Sequence, residues 1–349
     1  MALVGVVIMN YHGYLNGTQG STNSFAERVF NPTTGVLTTR FAATFVVVAG
    51  VGVALLTTKY MDSKEDRAMA RWRLIRRGLL LYAFGYFFNW IWPGTILLYY
   101  GAMFMIAAVI FTLRTRMLVI ITMVSVLVAA ALRLWRVEEF FYEGNTTQWL
   151  TPWAPDTPRN LLFNTFINGT HPLFPWLAFL MVGMIIGRNL NWFVAHRKHV
   201  AIWSVAILAA TYALANWPTG DDYADIGYWR IKTIFNTDPA DVGVLYSVGT
   251  AAVAVLVLSL VASACHHRES LQAVIVLQRV GQMTLTLYIL HALIFNFVVH
   301  HLRWVDPTGL DTALVFSAVV LVPLALFATW WKRFIGNGPA ETLYRKFGG

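Results

Sequence analysis

Ten stretches of this 349-residue chain are apolar enough to leave water. Several run for roughly 18 residues or more, close to the length a bilayer core of about 30 Å asks of a helix. Buried helices of soluble domains are shorter and keep a polar stripe, so an ordinary globular core does not account for these runs. Hydrophobic residues make up 57% of the chain and charged residues 12%, about half the charged share of a soluble domain. The segments fall at 1–11, 38–58, 77–93, 95–113, 117–135, 172–187, 199–216, 243–264, 280–300 and 311–331. The pattern predicts an all-α, polytopic membrane bundle of about ten transmembrane segments in a single domain, 1–349. Met1 to Met9 would extend only about 14 Å as a helix, so the first segment reads as truncated at its N-terminus. It also lacks the basic n-region and small-residue cleavage site of a signal peptide.

The formal charge of +9 raises nucleic acid as a partner. The Lys and Arg residues cluster between apolar runs, however, where membrane orientation already accounts for them. Lys59, Lys64, Arg67, Arg71, Arg73, Arg76 and Arg77 place the segment between the second and third runs in the cytoplasm. Alternation then puts Arg114–Arg116, Arg188–His199, Cys265–Arg279 and the tail after Lys332 on the same side, each with positive charge. The opposite side receives 12–37, 136–171, 217–242 and 301–310, which are longer and rich in Asn, Asp, Thr, Pro and Trp. Arg230 and Lys232 sit there against the rule, in a loop that also holds Asp221, Asp222, Asp225, Asp238 and Asp241. Cys265 is the only cysteine, which excludes an intrachain disulfide and a thiolate-rich metal site. Asn16, Asn145 and Asn168 begin Asn-x-Ser/Thr triplets, which matter only in a glycosylating secretory pathway.

Polar and ionisable groups are costly inside a hydrocarbon layer, so those that remain there are the functional candidates. Asn10-Tyr11-His12 ends the first run. His12, with an ordinary pKa near 6.5, suits proton abstraction from an acceptor hydroxyl or amine, or else contacts headgroups at the interface. Asn10 lies two residues earlier, about 200° around a helix, so either the helix ends there or the two face apart. Thr170-His171-Pro172-Leu173-Phe174-Pro175-Trp176 opens the sixth run on the same outer side; His171 is a second catalytic candidate, and the two prolines equally suit a rigid helix start. In the ninth run Thr284, Thr286, Tyr288, His291 and Asn296 are unusually polar, with Tyr288 and His291 on one face. His291 either lines a cavity or bonds between helices. Arg40, Arg133 and Arg136 stand at the outer level, snorkelling or holding an anionic acceptor.

On the cytoplasmic side Arg71, Arg73, Arg76 and Arg77 suit the phosphates of a nucleotide-bearing donor, and lipid headgroups explain them equally well. No Gly-x-Gly-x-x-Gly or Walker-type loop accompanies them. Neither a Gly-x-Ser-x-Gly elbow nor a His-Glu-x-x-His zinc motif is present, and no metal is expected.

Several motifs in shared order carry a resemblance over nearly the whole chain: Ala2-Leu3-Val4-Gly5 through Asn10-Tyr11, Ile96-Leu97-Leu98-Tyr99-Tyr100-Gly101, Pro172-Leu173-Phe174-Pro175-Trp176 with Gly183 and Gly187, Gly281-Gln282-Met283-Thr284-Leu285-Thr286-Leu287-Tyr288, and the Gly336 to Glu341 tail. The chain resembles the YeiB-like bacterial membrane family, grouped with the heparan-alpha-glucosaminide N-acetyltransferase superfamily of transmembrane acyltransferases. The resemblance implies a cytosolic acyl-CoA co-substrate, typically acetyl-CoA, and an acceptor reached from the opposite side, commonly a carbohydrate amine or hydroxyl. In the lysosomal relatives an Asn-Tyr pair ends the first core helix and a catalytic His follows within the adjoining loop. Here Asn10-Tyr11 match, and His12 follows directly. His291 stands where bacterial relatives commonly carry an amide.

The sequence therefore leads to a membrane acyltransferase in the bacterial cytoplasmic membrane, with its C-terminus cytoplasmic. His12 is the expected base, with Asn10 orienting either that base or the thioester carbonyl, His171 and His291 alternative histidines, Arg71, Arg73, Arg76 and Arg77 the expected donor site, and Arg40 with Tyr11 the expected acceptor site. Membrane lipids and a carbohydrate or glycolipid acceptor are the expected partners, nucleic acid is not, and a homo-oligomer is left open. The rival from another class is a transporter or lipid-handling permease with His291, Thr284 and Asn296 along its path.

Overall fold

The computed structural model describes residues 1–15, 29–31, 35–143, 149–215, 226–239, 242–268, 270–306 and 310–349. Asn16, Asn145, Asp221, Asp222, Asp225 and Asp241 lie outside the described residues. Among the described residues the regular elements are all helical. They are α1 (Ala2–Leu15), α2 (Arg40–Thr58), α3 (Lys64–Phe88), α4 (Leu97–Ile110), α5 (Thr115–Tyr142), α6 (Pro158–Phe163), α7 (Leu173–Arg188), α8 (Leu190–Ala195), α9 (Arg197–Ala215), α10 (Ile226–Phe235), α11 (Val244–Cys265), α12 (Gln272–Gln282), α13 (Thr284–Phe295), α14 (Leu310–Phe334) and α15 (Pro339–Gly348). Two π turns, Asn164–Asn168 and Asn296–His301, follow α6 and α13.

Six of the described helices are long and apolar enough to cross a membrane, and a seventh span results if the bent pair Pro158–Asn168 and Leu173–Arg188 counts as one. The other expected segments fall on helices too short or too charged at one end. α1 and α4 have 14 residues each, and α3 begins in the basic stretch around Arg67 and Arg71. Many apolar side chains face outward, as on α5, where Met123 and Leu127 are 57% and 63% exposed. An apolar surface of that extent suits contact with lipid rather than water.

The chain divides into two compact units, Met1–Phe45 with Val261–Gly349, and Val46–Leu260. In the unit formed by the two ends of the chain, α1 packs on α14 and α13, and the tail helix α15 packs on α13. Pro323, inside α14, has no N–H and so deletes the bond that the Val319 carbonyl would otherwise accept.

In the middle unit α3 and α4 form a tight helical pair, and α5 packs along α7. Small residues let backbones approach, which is how spans associate where no water drives them together. A side chain at Gly183 would strike the Val47 carbonyl, and one at Gly50 the Leu180 carbonyl, so both positions require glycine. Arg188 ends α7 by donating to the Leu113 carbonyl at 2.7 Å and the Phe111 carbonyl at 2.5 Å, satisfying acceptors just beyond the end of α4. The broken span bends by 57° between its two parts. Its π turn is tied down by Asn164, which donates to the Trp153 carbonyl at 2.6 Å, and by Arg136, which donates to the Trp149 carbonyl at 2.7 Å and the Ile167 carbonyl at 3.4 Å.

Candidate functional site

α1 runs through Asn10-Tyr11-His12 and three residues beyond. The alternative in which the helix stops at Asn10 is thereby removed, and Asn10 and His12 face apart. Asn10 meets His291 of α13 instead, its Nδ2 standing 3.3 Å from His291 Nε2. Tyr11 donates its hydroxyl to the His291 carbonyl at 2.8 Å. Its ring packs against Phe295 at 5.1 Å and stacks on Phe316 of α14 at 5.0 Å. Tyr288, one turn before His291, completes the cluster with ring centres 5.0 Å apart. Three consecutive polar residues on α1 thus divide their work, Asn10 meeting the His291 ring, Tyr11 its backbone carbonyl, and His12 turning elsewhere.

His12 is fully buried, as is His291. His12 Nδ1 lies 2.6 Å from the Ile8 carbonyl, one turn back, and the imidazole stacks on Phe30 at 5.4 Å between centres. A carbonyl only accepts, so Nδ1 carries the hydrogen and Nε2 holds the lone pair. At His291 the amide of Asn10 donates to Nε2, so that lone pair is already engaged.

His171 belongs to the middle unit, in a second aromatic cluster. Its ring lies 4.5 Å from Trp176, edge to face, and 5.6 Å from Tyr99. Its Nδ1 is 3.0 Å from the Thr170 hydroxyl, and the Tyr99 oxygen accepts from the Thr170 amide at 3.2 Å. Two motifs far apart in sequence, around Tyr99 and around His171, are therefore halves of one contact.

The arginines of α3, also in the middle unit, have structural work of their own. Arg71 Nε donates to the Ala108 carbonyl at 3.0 Å, near the last turn of α4. Arg73 donates to the Tyr60 hydroxyl. Against a rise from desolvation, Lys59 and Arg73 together hold the Tyr60 phenol below its ordinary value. Arg76 is exposed and Arg77 half-buried. Arg40, Arg133 and Arg136 are buried rather than snorkelling, and Arg136 staples the broken span as described. Arg230 pairs with Glu138 at 2.7 Å, so its charge is offset by a carboxylate. Among the described residues no three His, Cys, Asp or Glu side chains converge as metal ligands would.

Residues 186–348 match the model of a family described only as a protein of unknown function (DUF418). The match takes in His291 and the tail and leaves out α1. No curated protein and no solved structure matches the chain.

Sequence reasoning missed Phe30, which stacks on His12, and Phe295 and Phe316, which pack on Tyr11, because an aromatic residue carries no mark in the sequence of what it faces. It also missed the partner of Thr286. Glu341 accepts from the Leu285 and Thr286 amides at 2.7 and 3.0 Å and from the Thr286 hydroxyl at 2.5 Å. A carboxylate thus closes the N-terminus of the helix that carries His291.

Proposed function

We propose that this chain is an acyltransferase of the bacterial cytoplasmic membrane, with its C-terminus inside. It moves an acyl group, typically acetyl, from cytosolic acyl-CoA to a carbohydrate or cell-envelope acceptor on the outer side. The observation that carries the reading is the buried His12, whose Nδ1 hydrogen is held by the Ile8 carbonyl so that Nε2 is the basic nitrogen. In the transfer, the acceptor O–H or N–H gives its proton to His12 Nε2 and its electron pair to the thioester carbonyl carbon. The carbon–sulfur bond then breaks, and the thiolate takes the proton back to leave as CoA. Asn10 and Tyr11 hold His291 and the adjoining aromatic walls in place rather than orienting the base. Arg71, Arg73, Arg76 and Arg77 supply positive charge for the donor phosphates, and the resemblance to transmembrane acyltransferases adds weight to this division of sides.

General-base help and positioning are together sufficient for such a step, the first contributing about 10²- to 10⁴-fold. In purified protein supplied with acetyl-CoA and glucosamine, His12→Ala is expected to lower CoA release by about 10²- to 10⁴-fold with donor binding retained. Undiminished release removes His12 from the chemistry, and an equal loss in His171→Ala with His12→Ala silent moves the base to the other unit.

One observation favours a second reading, a transporter or lipid-handling permease. The 57° break between Pro158–Asn168 and Leu173–Arg188 is of the kind that discontinuous transporter helices use to bind solutes. Substrate flux in proteoliposomes without acyl-CoA, and without CoA release, decides for it.

A further inference from the structure

α13 and α14 enclose an open-sided groove of about 930 Å³. Leu290 and Ile294 form one wall and Val315, Val319, Pro323 and Phe327 the other, with Trp304 and Val305 at the outer end. Val315 and Val319 are 65% and 60% exposed, so the groove opens away from the protein. Both walls belong to helices long and apolar enough to cross a membrane, where the groove would face hydrocarbon rather than water. From Thr312 to Phe327 the wall rises about 22 Å, more than one leaflet's depth of roughly 15 Å.

The outer end is built differently from the rest. The π turn Asn296–His301 is followed by a bend in which the Trp304 amide donates to the Val298 carbonyl at 3.1 Å. This bend exposes His300, His301 and Arg303 beside the groove, with Asp306 as the acid nearest in sequence. Asp306 offsets the Arg303 charge, and what suits a phosphate here is the set of exposed N–H groups on the Arg303 guanidinium and the two imidazoles, which can donate to its oxygens. Phe316 is shared: it lines the groove, and its other neighbour is Tyr11 at 5.0 Å. Phe295 joins the outer ends of the two helices, touching Tyr14 at 5.6 Å and His300 at 5.7 Å.

From this we infer that the groove seats the hydrocarbon chain of a phosphate-headed membrane lipid, with the headgroup at His300, His301 and Arg303, on the same end of the unit as His12. Resting on the acyltransferase reading, this makes the acceptor a lipid-carried one, presented to His12 by its own anchor. One aromatic ring separates the chain from Tyr11, so an occupied groove also fixes Phe316 against the residues that hold His291.

The test uses the full chain in nanodiscs containing a small fraction of phosphatidic acid with a diazirine midway along one acyl chain, followed by irradiation and peptide mapping. Adducts on 290–294 and 315–327 are expected to exceed, several-fold, those on Met123 and Leu127 of α5, which are equally open to lipid. Val319→Trp, which fills the groove, should remove that excess, and Arg303→Gln should reduce it for phosphatidic acid but not for the corresponding diacylglycerol. Adducts distributed simply by exposure overturn the proposal, as does an excess unchanged in a folded Val319→Trp protein. If that variant does not fold, the wild-type ratio decides alone. Measuring CoA release in parallel separates the two ideas. A several-fold excess with no CoA release from any acceptor keeps the lipid seat and sinks acyl transfer, whereas CoA release with exposure-limited adducts does the reverse.

Discussion

Asn10 and His291 illustrate how one contact reassigns a residue. From spacing alone Asn10 either shares a face with His12 or does not. The continuous helix separates them and hands the amide to an imidazole 281 positions away. The prediction at this scale follows from hydrogen-bond capacity. His291→Gln keeps a polar atom near the Nε2 position and is expected to leave stability and CoA release within a few-fold of the parent. His291→Leu strands the half-buried Asn10 amide and should cost about 1 kcal/mol, read as a lowered unfolding midpoint in detergent. Equal stability of the two variants would show that the Asn10 contact contributes nothing. His12 was legible as a candidate because an imidazole at a membrane margin is conspicuous. Its tautomer was not, since that depends on the Ile8 carbonyl one turn back.

At the scale of elements, the tail helix α15 acts on α13 chiefly through one carboxylate, with the Ala340 amide also donating to the Thr286 hydroxyl at 3.2 Å. The first four amides of a helix lack partners within it, and Glu341 occupies two of those amides at the start of α13. Glu341→Ala should therefore cost about 1 to 3 kcal/mol and loosen the first turn of α13. Faster amide exchange at Leu285 and Thr286, with exchange in α5 unchanged, is the expected signature. Uniform exchange across the protein would mean that the clasp is not local. The Gly281 to Tyr288 and Gly336 to Glu341 stretches were each visible as motifs. That one caps the other was not, because a Glu after a Gly-Pro turn reads equally well as the first turn of its own helix. The same holds for Gly183, legible as a small residue in an apolar run, whose need for glycine comes from the Val47 carbonyl opposite.

For the whole molecule, the lone cysteine offers a direct reading of orientation. Cys265 ends α11 and is partly exposed, and in the proposed orientation it faces the cytoplasm. A membrane-impermeant maleimide should label it in inverted vesicles and spare it in right-side-out ones. The opposite pattern inverts the topology and with it the assignment of donor and acceptor sides. Composition and the length of apolar runs were enough to determine an all-helical membrane protein and roughly where its helices lie, because the absence of water in a bilayer leaves the backbone few alternatives. Among the described residues six helices, or seven with the bent pair, have full-span length, and an apolar run does not reveal a short helix such as α4 or a broken one such as Pro158–Arg188. Tertiary structure alone decided which polar groups meet: Asn10 with His291, Glu341 with Thr286, Arg71 with the Ala108 carbonyl. Those pairings are settled by a few ångströms of packing between segments distant in the chain, and nothing in local sequence encodes a distance of that kind.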